Sequence, residues 1–122
     1  MKARFVFETL NEISIIHVTS PKISEIIKIE GFNPKQTINY KYYSKLGYEG
    51  IYFYDNLRQS QIYSYFLANK LNIKEVALIF CKVPYNICIR SNNIEDGIFI
   101  KNENLGKIKI EIIKIQRPSI IY

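Results

Sequence analysis

Residues 75–83, with the sequence EVALIFCKV, form a nearly continuous apolar run that limits the possible folds more than any other feature. Such a run is typical of a strand covered on both faces, because a strand with one wet face would alternate apolar and polar residues. Neither this run nor any other apolar run in the chain has the length needed to span a bilayer. The sequence therefore predicts a sheet with a buried central strand, and we expect no membrane partner.

The length of the chain, 122 residues, suffices for one core, so we expect a single domain over residues 1–122. Apolar residues make up 48% and charged residues 23%, a balance that is usual for a globular protein and unlike that of a disordered one. The first residues soon include Glu8 and Asn11, so they lack the apolar stretch of a signal peptide. We therefore expect a cytoplasmic protein.

Metal-binding and disulfide-forming residues are scarce, because Cys81, Cys88 and His17 are the only ones of their kinds. Two cysteines are too few for a disulfide scaffold and have no zinc spacing, and one histidine excludes a His-based metal cage. We expect no metal. The formal net charge of +6 would suit a nucleic acid, a dinucleotide or an acidic protein. The lysines are spread along the chain, however, so we favour a solvated surface as the reason for the charge.

Alternating apolar residues predict short strands, and apolar residues at helical spacing predict two helices. The first helix begins after the N-cap Ser20 and ends at Gly31, and the second begins after Asn56 and runs to about Asn69. Residues 32–48 are polar and rich in Tyr, which is typical of a loop that covers a site. The predicted strands lie at residues 4–7, 13–19, 50–54, 75–83, 86–90, 97–101 and 107–115. This set predicts an α+β fold.

Three segments in a fixed order carry the candidate chemistry. They are IIHVTS at residues 15–20, GYEGIYFYDNLRQSQIY at residues 47–63, and GIFIKNENL at residues 97–105. Their order resembles the ADP-ribosyltransferase superfamily, in its poly(ADP-ribose) polymerase and diphtheria-toxin-like (His-Tyr-acid) branch. There, His-Gly-Ser/Thr is followed by Gly-x-Gly-Ile-Tyr-Phe, by Ser-x-x-Tyr on the next helix, and by a late acid. The resemblance extends to about residue 115 and implies a minimal ADP-ribosyltransferase-like domain of split antiparallel β-sheets with two main helices.

The resemblance also implies NAD as a substrate and a role for each matching residue. Tyr52 and Tyr63 would sandwich the nicotinamide, a flat cationic ring that gains from an aromatic face on either side. Ser60 would bind the carboxamide, and the backbone of Val18 would hold its other side, although the family usually has Gly there. His17 would hydrogen-bond the adenine-side ribose. The implied NAD-binding residues are His17, Val18, Thr19, Gly50, Tyr52, Ser60 and Tyr63.

The late acid departs from the family's pattern. In the family a carboxylate opens the late strand, where it stabilises the oxocarbenium-like ribose as nicotinamide leaves. In this sequence that position falls near Gly97, and the nearest acids are Asp96 and Glu95. We expect Asp96 to be the catalytic acid, then Glu95, and then Glu103. Together with Tyr52, Asp96 and Glu95 form the implied catalytic set.

The expected function is mono-ADP-ribosyl transfer from NAD to a macromolecular target, with protein favoured over nucleic acid. The alternative is a catalytically decayed protein of the same fold that binds or inhibits a protein or nucleic-acid complex, and simple cleavage of NAD is a third possibility. Abundant Ile, Lys, Asn and Tyr have AT-rich codons and indicate a low-GC bacterium or its phage. A toxin, an effector or a phage anti-defence (anti-CRISPR-like) factor would fit that origin. The sequence leaves the target and the oligomeric state open.

Overall fold

The computed structural model describes residues 11–33, 50–90 and 97–118. The described elements, in chain order, are β1 (Glu12–Thr19), α1 (Pro21–Glu30), β2 (Gly50–Tyr54), α2 (Leu57–Leu71), β3 (Val76–Pro84), a 3₁₀ helix (Tyr85–Ile87), β4 (Ile89–Arg90), β5 (Gly97–Lys101), a second 3₁₀ helix (Asn102–Lys107) and β6 (Lys109–Gln116). The strands form one antiparallel six-stranded sheet in the order β4-β5-β2-β1-β3-β6. The α+β class predicted from the sequence is confirmed.

Helix α1 begins and ends where its sequence predicts. The side chain of Ser20 accepts a hydrogen bond from the backbone N–H of Ile23 at 3.2 Å, which satisfies one of the free amides of the first turn. At the other end Gly31 has a φ of +80°, a conformation that favours glycine, and its N–H donates to the carbonyl of Ile27 at 2.8 Å. Local sequence is therefore sufficient to set both ends of α1.

The ends of helix α2 are also set by its capping residues, but the helix is two residues longer at its C-terminus than predicted. The side chain of Asn56 accepts a hydrogen bond from the backbone N–H of Gln59 at 3.1 Å, as expected of an N-cap. The helix ends at Leu71, two residues beyond the predicted Asn69, because Asn72 adopts the left-handed conformation (φ 55°, ψ 49°) that stops it. The cap at Asn56 fixes where α2 starts relative to β2.

The sheet consists of two halves that meet at a single residue pair. Strand β1 pairs with β3 along its whole length, and β2 pairs with β5 through all of its residues. Between β1 and β2, in contrast, the described residues pair only at Ile16 and Tyr54. One half is β4-β5-β2 and the other is β1-β3-β6, so the sheet opens between β1 and β2.

Within the described residues, α1 packs on one face of the sheet and α2 on the other, which explains the apolar run at residues 75–83. On the α1 face, Ile27 packs in a cluster with Ile15 and Ile79, and on the α2 face Leu67 packs with Ile16 and other residues. The side chains of β3 alternate between the two clusters: Ile79, Cys81 and Val83 join the first, and Val76, Leu78 and Phe80 join the second. A strand buried on both faces is nearly continuously apolar, and in β3 the exception is the partly exposed Lys82.

Some predicted boundaries are wrong. Residues 85–87 form a 3₁₀ helix and only Ile89–Arg90 is a strand, because the N–H of Cys88 donates to the carbonyl of Tyr85 at 3.0 Å and closes a turn. The last strand begins at Lys109 for a similar reason, after the second 3₁₀ helix. The predicted strand at 4–7 and residues 34–48 of the predicted loop lie outside the described residues. In the described part of the chain, no helix is both long enough and apolar enough to cross a membrane.

Candidate functional site

His17 lies near the end of β1 and is almost completely buried, with 1% of its surface exposed. Its Nδ1 lies 2.9 Å from the carbonyl oxygen of Tyr52 on β2. A carbonyl oxygen can only accept, so Nδ1 carries the proton and donates, and Nε2 of the neutral ring is left as an acceptor. Nε2 is buried and has no hydrogen-bond partner within the described structure. The imidazole thus presents a fixed and unused acceptor.

The charge state of His17 follows from its surroundings. Burial lowers its pKa from 6.5 to about 4, because the charged ring would lose its hydration, and the hydrogen bond to Tyr52 opposes that shift only in part. The ring is therefore neutral at pH 7. An imidazole with such a low pKa is a weak general base, but it is a good acceptor for a hydroxyl group. This suits the positioning role that the resemblance implies.

Two aromatic rings surround this imidazole. Phe53 of β2 and Phe32 lie with ring centroids 5.3 Å and 5.4 Å from that of His17, and 5.2 Å from each other. Phe32 is the second residue after the end of α1, where an apolar side chain commonly packs back on the structure. Phe32 is not among the site residues that the sequence predicts. The signal that could have found it is its place directly after the C-capping Gly31.

Strands β1 and β2 are not paired beyond Ile16 and Tyr54 within the described residues, and His17 lies beside this point. Antiparallel pairing continued from Ile16 and Tyr54 would bring Val18 opposite Tyr52, but the described strands are not paired there. The side chain of Val18 is buried in the α2-face cluster, and that of Thr19 is also buried. Both residues therefore lie where β1 leaves β2, with the hydrogen bond from His17 to Tyr52 spanning the two strands.

Tyr52 lies opposite Phe99 of β5, and the two rings are 5.1 Å apart at their centroids. The side chain of Tyr52 is 4% exposed. Because side chains alternate along a strand, Tyr52 and Tyr54 share one face of β2, and Phe53 points to the other. Tyr54 belongs to the cluster on the α2 face. Tyr52 itself packs in the cluster that contains Ile27 and Phe99, whereas Phe53 lies beside the histidine and Tyr54 beside helix α2.

Helix α2 contributes Tyr63 and Ser60. The ring of Tyr63 lies 5.6 Å from that of Tyr54, with the planes tilted by 41°. Ser60 is fully buried, and its hydroxyl donates to the carbonyl of Leu57 at 2.6 Å. With its proton engaged, the Ser60 oxygen is able to accept a hydrogen bond from an amide N–H such as that of a carboxamide. The cap at Asn56 determines how far along the helix these two side chains lie.

Strand β5 lies so close to Gly50 that it leaves no room for a side chain there. A Cβ on Gly50 would overlap the carbonyl oxygen of Ile100 and lie 2.7 Å from Cζ of Phe99. The absence of a side chain therefore allows β2 and β5 to approach closely, and this approach holds the backbone that carries Tyr52. Gly50 is also one of the residues for which the resemblance implies a role in NAD binding.

The candidate acids are distributed at the two ends of β5. Asp96 and Glu95 lie outside the described residues, and they precede Gly97, which is paired with Tyr54. Glu103 is exposed in the 3₁₀ helix that follows the other end of β5, where Lys101 pairs with Gly50. Among the described residues no three His, Cys, Asp or Glu side chains come together as a metal site requires.

No protein-family model, curated protein or solved structure matches this chain. The site is therefore defined by its own residues: a buried neutral histidine with an unused acceptor, aromatic side chains on both faces of β2, and a sheet that opens between β1 and β2.

Proposed function

We propose that this chain is a mono-ADP-ribosyltransferase, which binds NAD and transfers ADP-ribose to a macromolecular target with release of nicotinamide. The observation that carries the proposal is the state of His17, whose Nδ1 donates to Tyr52 while the buried Nε2 has no partner among residues 11–33, 50–90 and 97–118. A buried acceptor without a partner costs about 1 to 3 kcal/mol. A ligand hydroxyl would remove that cost, and the adenine-side ribose of NAD supplies such a hydroxyl.

The proposed fold is that of the ADP-ribosyltransferases, with split antiparallel sheets. The support for it is the single residue pair, Ile16 and Tyr54, that joins the two halves of the sheet. The proposed cleft lies where the halves diverge. It is bordered by His17 on β1 and by Tyr52 on β2, which are 35 residues apart in the sequence and joined by a hydrogen bond. The first two segments of the resemblance thus meet in space.

The proposed nicotinamide clamp is formed by Tyr52 and Tyr63. Tyr52 precedes Tyr54 by two residues on the same face of β2, a separation of about 7 Å along the strand. The ring of Tyr63 is in contact with that of Tyr54. Tyr54 therefore links the two proposed clamp residues, because it follows Tyr52 by two residues on β2 and its ring contacts that of Tyr63. Ser60, one turn before Tyr63, would accept a hydrogen bond from the carboxamide.

In the proposed reaction the bond between the anomeric carbon and nicotinamide breaks, and the target's nucleophile bonds to that carbon and loses a proton. A carboxylate would stabilise the positive charge on the ribose. We propose Asp96, and then Glu95, because they precede Gly97, the residue opposite Tyr54. Glu103 has less support, since β5 separates it from that end of the strand by about 13 Å. The target is proposed to be a protein in preference to a nucleic acid.

A second candidate is a protein of the same fold that binds NAD or a partner without catalysing transfer. The observation that favours it is the sequence of β5, GIFIK, which carries no carboxylate at the strand paired with β2. In either form the proposed setting is the bacterial cytoplasm, where a toxin, an effector or a phage anti-defence factor would act. The two candidates share the NAD site and differ in chemistry.

Titration calorimetry with NAD and with nicotinamide tests the site that both candidates use. Wild type should bind both ligands, and Tyr52→Phe should retain the binding because it keeps the ring. Tyr52→Ala should lose at least about tenfold in affinity for both. Tyr65→Ala is the matched control, since Tyr65 is exposed on α2 and its ring contacts Phe66. If wild type binds neither ligand, the NAD site is refuted.

Transfer itself is tested by incubating the protein with labelled NAD and a bacterial lysate. Wild type should add one ADP-ribose to a target, seen as label and as a mass increase, and Asp96→Asn or Glu95→Gln should abolish it. Free ADP-ribose without a labelled target would indicate cleavage of NAD. NAD binding with neither product would favour the non-catalytic candidate.

A further inference from the structure

Tyr54 has no role in the proposed chemistry, yet it lies at the centre of the site. We propose that it is a positioning residue, whose ring holds Tyr63 in place to stack on nicotinamide. This inference rests on the proposed function and adds a specific residue to it. It concerns the nicotinamide half of NAD and leaves the ribose half to His17.

The contact between the two tyrosines is the first support. Their centroids are 5.6 Å apart and their planes are tilted by 41°, which lies within the range of favourable aromatic pairs. Tyr63 is on α2 and is half-buried, so its own helix leaves part of the ring uncovered. Tyr54, also half-buried, covers one side of that ring. The contact with Tyr54 therefore restricts the orientation of the Tyr63 ring.

The position of Tyr54 in the sheet is the second support. Tyr54 is the last residue of β2. It pairs with Ile16 of β1, the one described pair between the two halves of the sheet, and Ile16 directly precedes His17. Tyr54 and Tyr63 both pack on the α2-face cluster, which includes Leu67. A residue so placed connects helix α2 to the point where the sheet opens.

Core packing alone would also account for a half-buried tyrosine, and the two roles predict different binding data. If Tyr54 only stabilises the fold, its loss reduces the fraction of folded protein and so lowers the apparent affinity for every ligand by the same factor. If Tyr54 positions Tyr63, its loss lowers the affinity for nicotinamide. The affinity for ADP-ribose, which lacks the nicotinamide ring, then stays unchanged. The ratio of the two affinities therefore separates the roles.

The test is titration calorimetry of nicotinamide and of ADP-ribose with wild type, Tyr54→Phe and Tyr54→Leu. Phenylalanine keeps the ring, whereas leucine keeps apolar volume and removes the ring. Tyr65→Ala serves as the control, and thermal unfolding checks that each variant is folded at the temperature of titration. Tyr54→Met replaces Tyr54→Leu if the leucine variant does not fold.

We expect Tyr54→Leu to bind nicotinamide about tenfold more weakly, to bind ADP-ribose within about twofold of wild type, and Tyr54→Phe to match wild type for both. Unchanged nicotinamide affinity in Tyr54→Leu would overturn the inference and leave the NAD site intact. An equal loss for both ligands would overturn it in favour of a structural role. Failure of wild type to bind either ligand would refute the proposed function, and the role of Tyr54 with it.

Discussion

The imidazole of His17 lies edge to face with the ring of Phe32, with the centroids 5.4 Å apart and the planes at 88°. Phe32 follows Gly31, whose φ of +80° turns the chain at the end of α1. The end of this helix therefore supplies part of the apolar cover of a polar side chain on β1. Together with Phe53, this cover contributes to the burial that lowers the pKa of His17 to about 4.

The low pKa of His17 predicts that acid destabilises the fold. The unfolded chain binds a proton below about pH 6.5, and the folded chain does so only below about pH 4. Neutral, buried His17 makes its full contribution to the free energy of unfolding above pH 6.5, and this contribution is lost as the pH falls from 6.5 to about 4. The loss should reach about 3 kcal/mol in the free energy of unfolding.

Urea unfolding between pH 4 and pH 7 measures this dependence. His17→Asn lacks the titrating group, so its free energy of unfolding should fall less steeply over the same range. The difference between the two slopes isolates His17 from the carboxylates, which also titrate at low pH. Parallel slopes for wild type and the variant would contradict the prediction.

His17→Asn also separates the two hydrogen-bonding functions of the imidazole. The asparagine amide nitrogen can take the place of Nδ1 and donate to the Tyr52 carbonyl, but it offers nothing at the position of Nε2. Affinity for ADP-ribose should therefore fall about tenfold, whereas nicotinamide affinity stays within about twofold. Calorimetry with the two ligands gives both values. A variant that binds ADP-ribose as tightly as wild type would exclude Nε2 as the acceptor.

Removal of Phe32 should raise the pKa of His17. In Phe32→Ala, water would reach the imidazole and reduce the penalty on its charged form, so the pKa should rise from about 4 toward 6.5. An NMR titration of the ring proton on Cε1 measures it directly. Phe66→Ala is the matched control, because Phe66 is 61% exposed on α2. An unchanged pKa in Phe32→Ala would show that other residues bury His17.

Gly50→Ala should destabilise the fold strongly, since its Cβ would overlap the carbonyl oxygen of Ile100 and lie 2.7 Å from Cζ of Phe99. We expect a loss of about 3 kcal/mol in the free energy of unfolding, measured in urea. Gly106→Ala is the same substitution at a position with no atom within 4 Å of the added Cβ, and it should change stability by less than about 0.5 kcal/mol. Equal effects at both positions would contradict the close approach of β2 and β5.

The secondary structure was largely predictable because its causes are local. Ser20 and Asn56 accept hydrogen bonds from amides three residues ahead, as the sequence predicts for N-caps. Strand β5 occupies the predicted residues 97–101, and β3 follows the apolar run. The prediction of a strand was wrong at residues 86–88, where a turn hydrogen bond competes with strand pairing, and alternation along the chain carries no information about that competition.

The candidate site was predictable only as a set of residues. The sequence by itself determined which elements carry His17, Tyr52 and Tyr63, because periodicity and caps act over a few neighbours. Only the tertiary structure decided that His17 donates to the carbonyl of Tyr52, and that Tyr54 both pairs with Ile16 and contacts the ring of Tyr63. These relationships join residues far apart in sequence. They depend on how the halves of the sheet pack under two helices, and no local pattern records that packing.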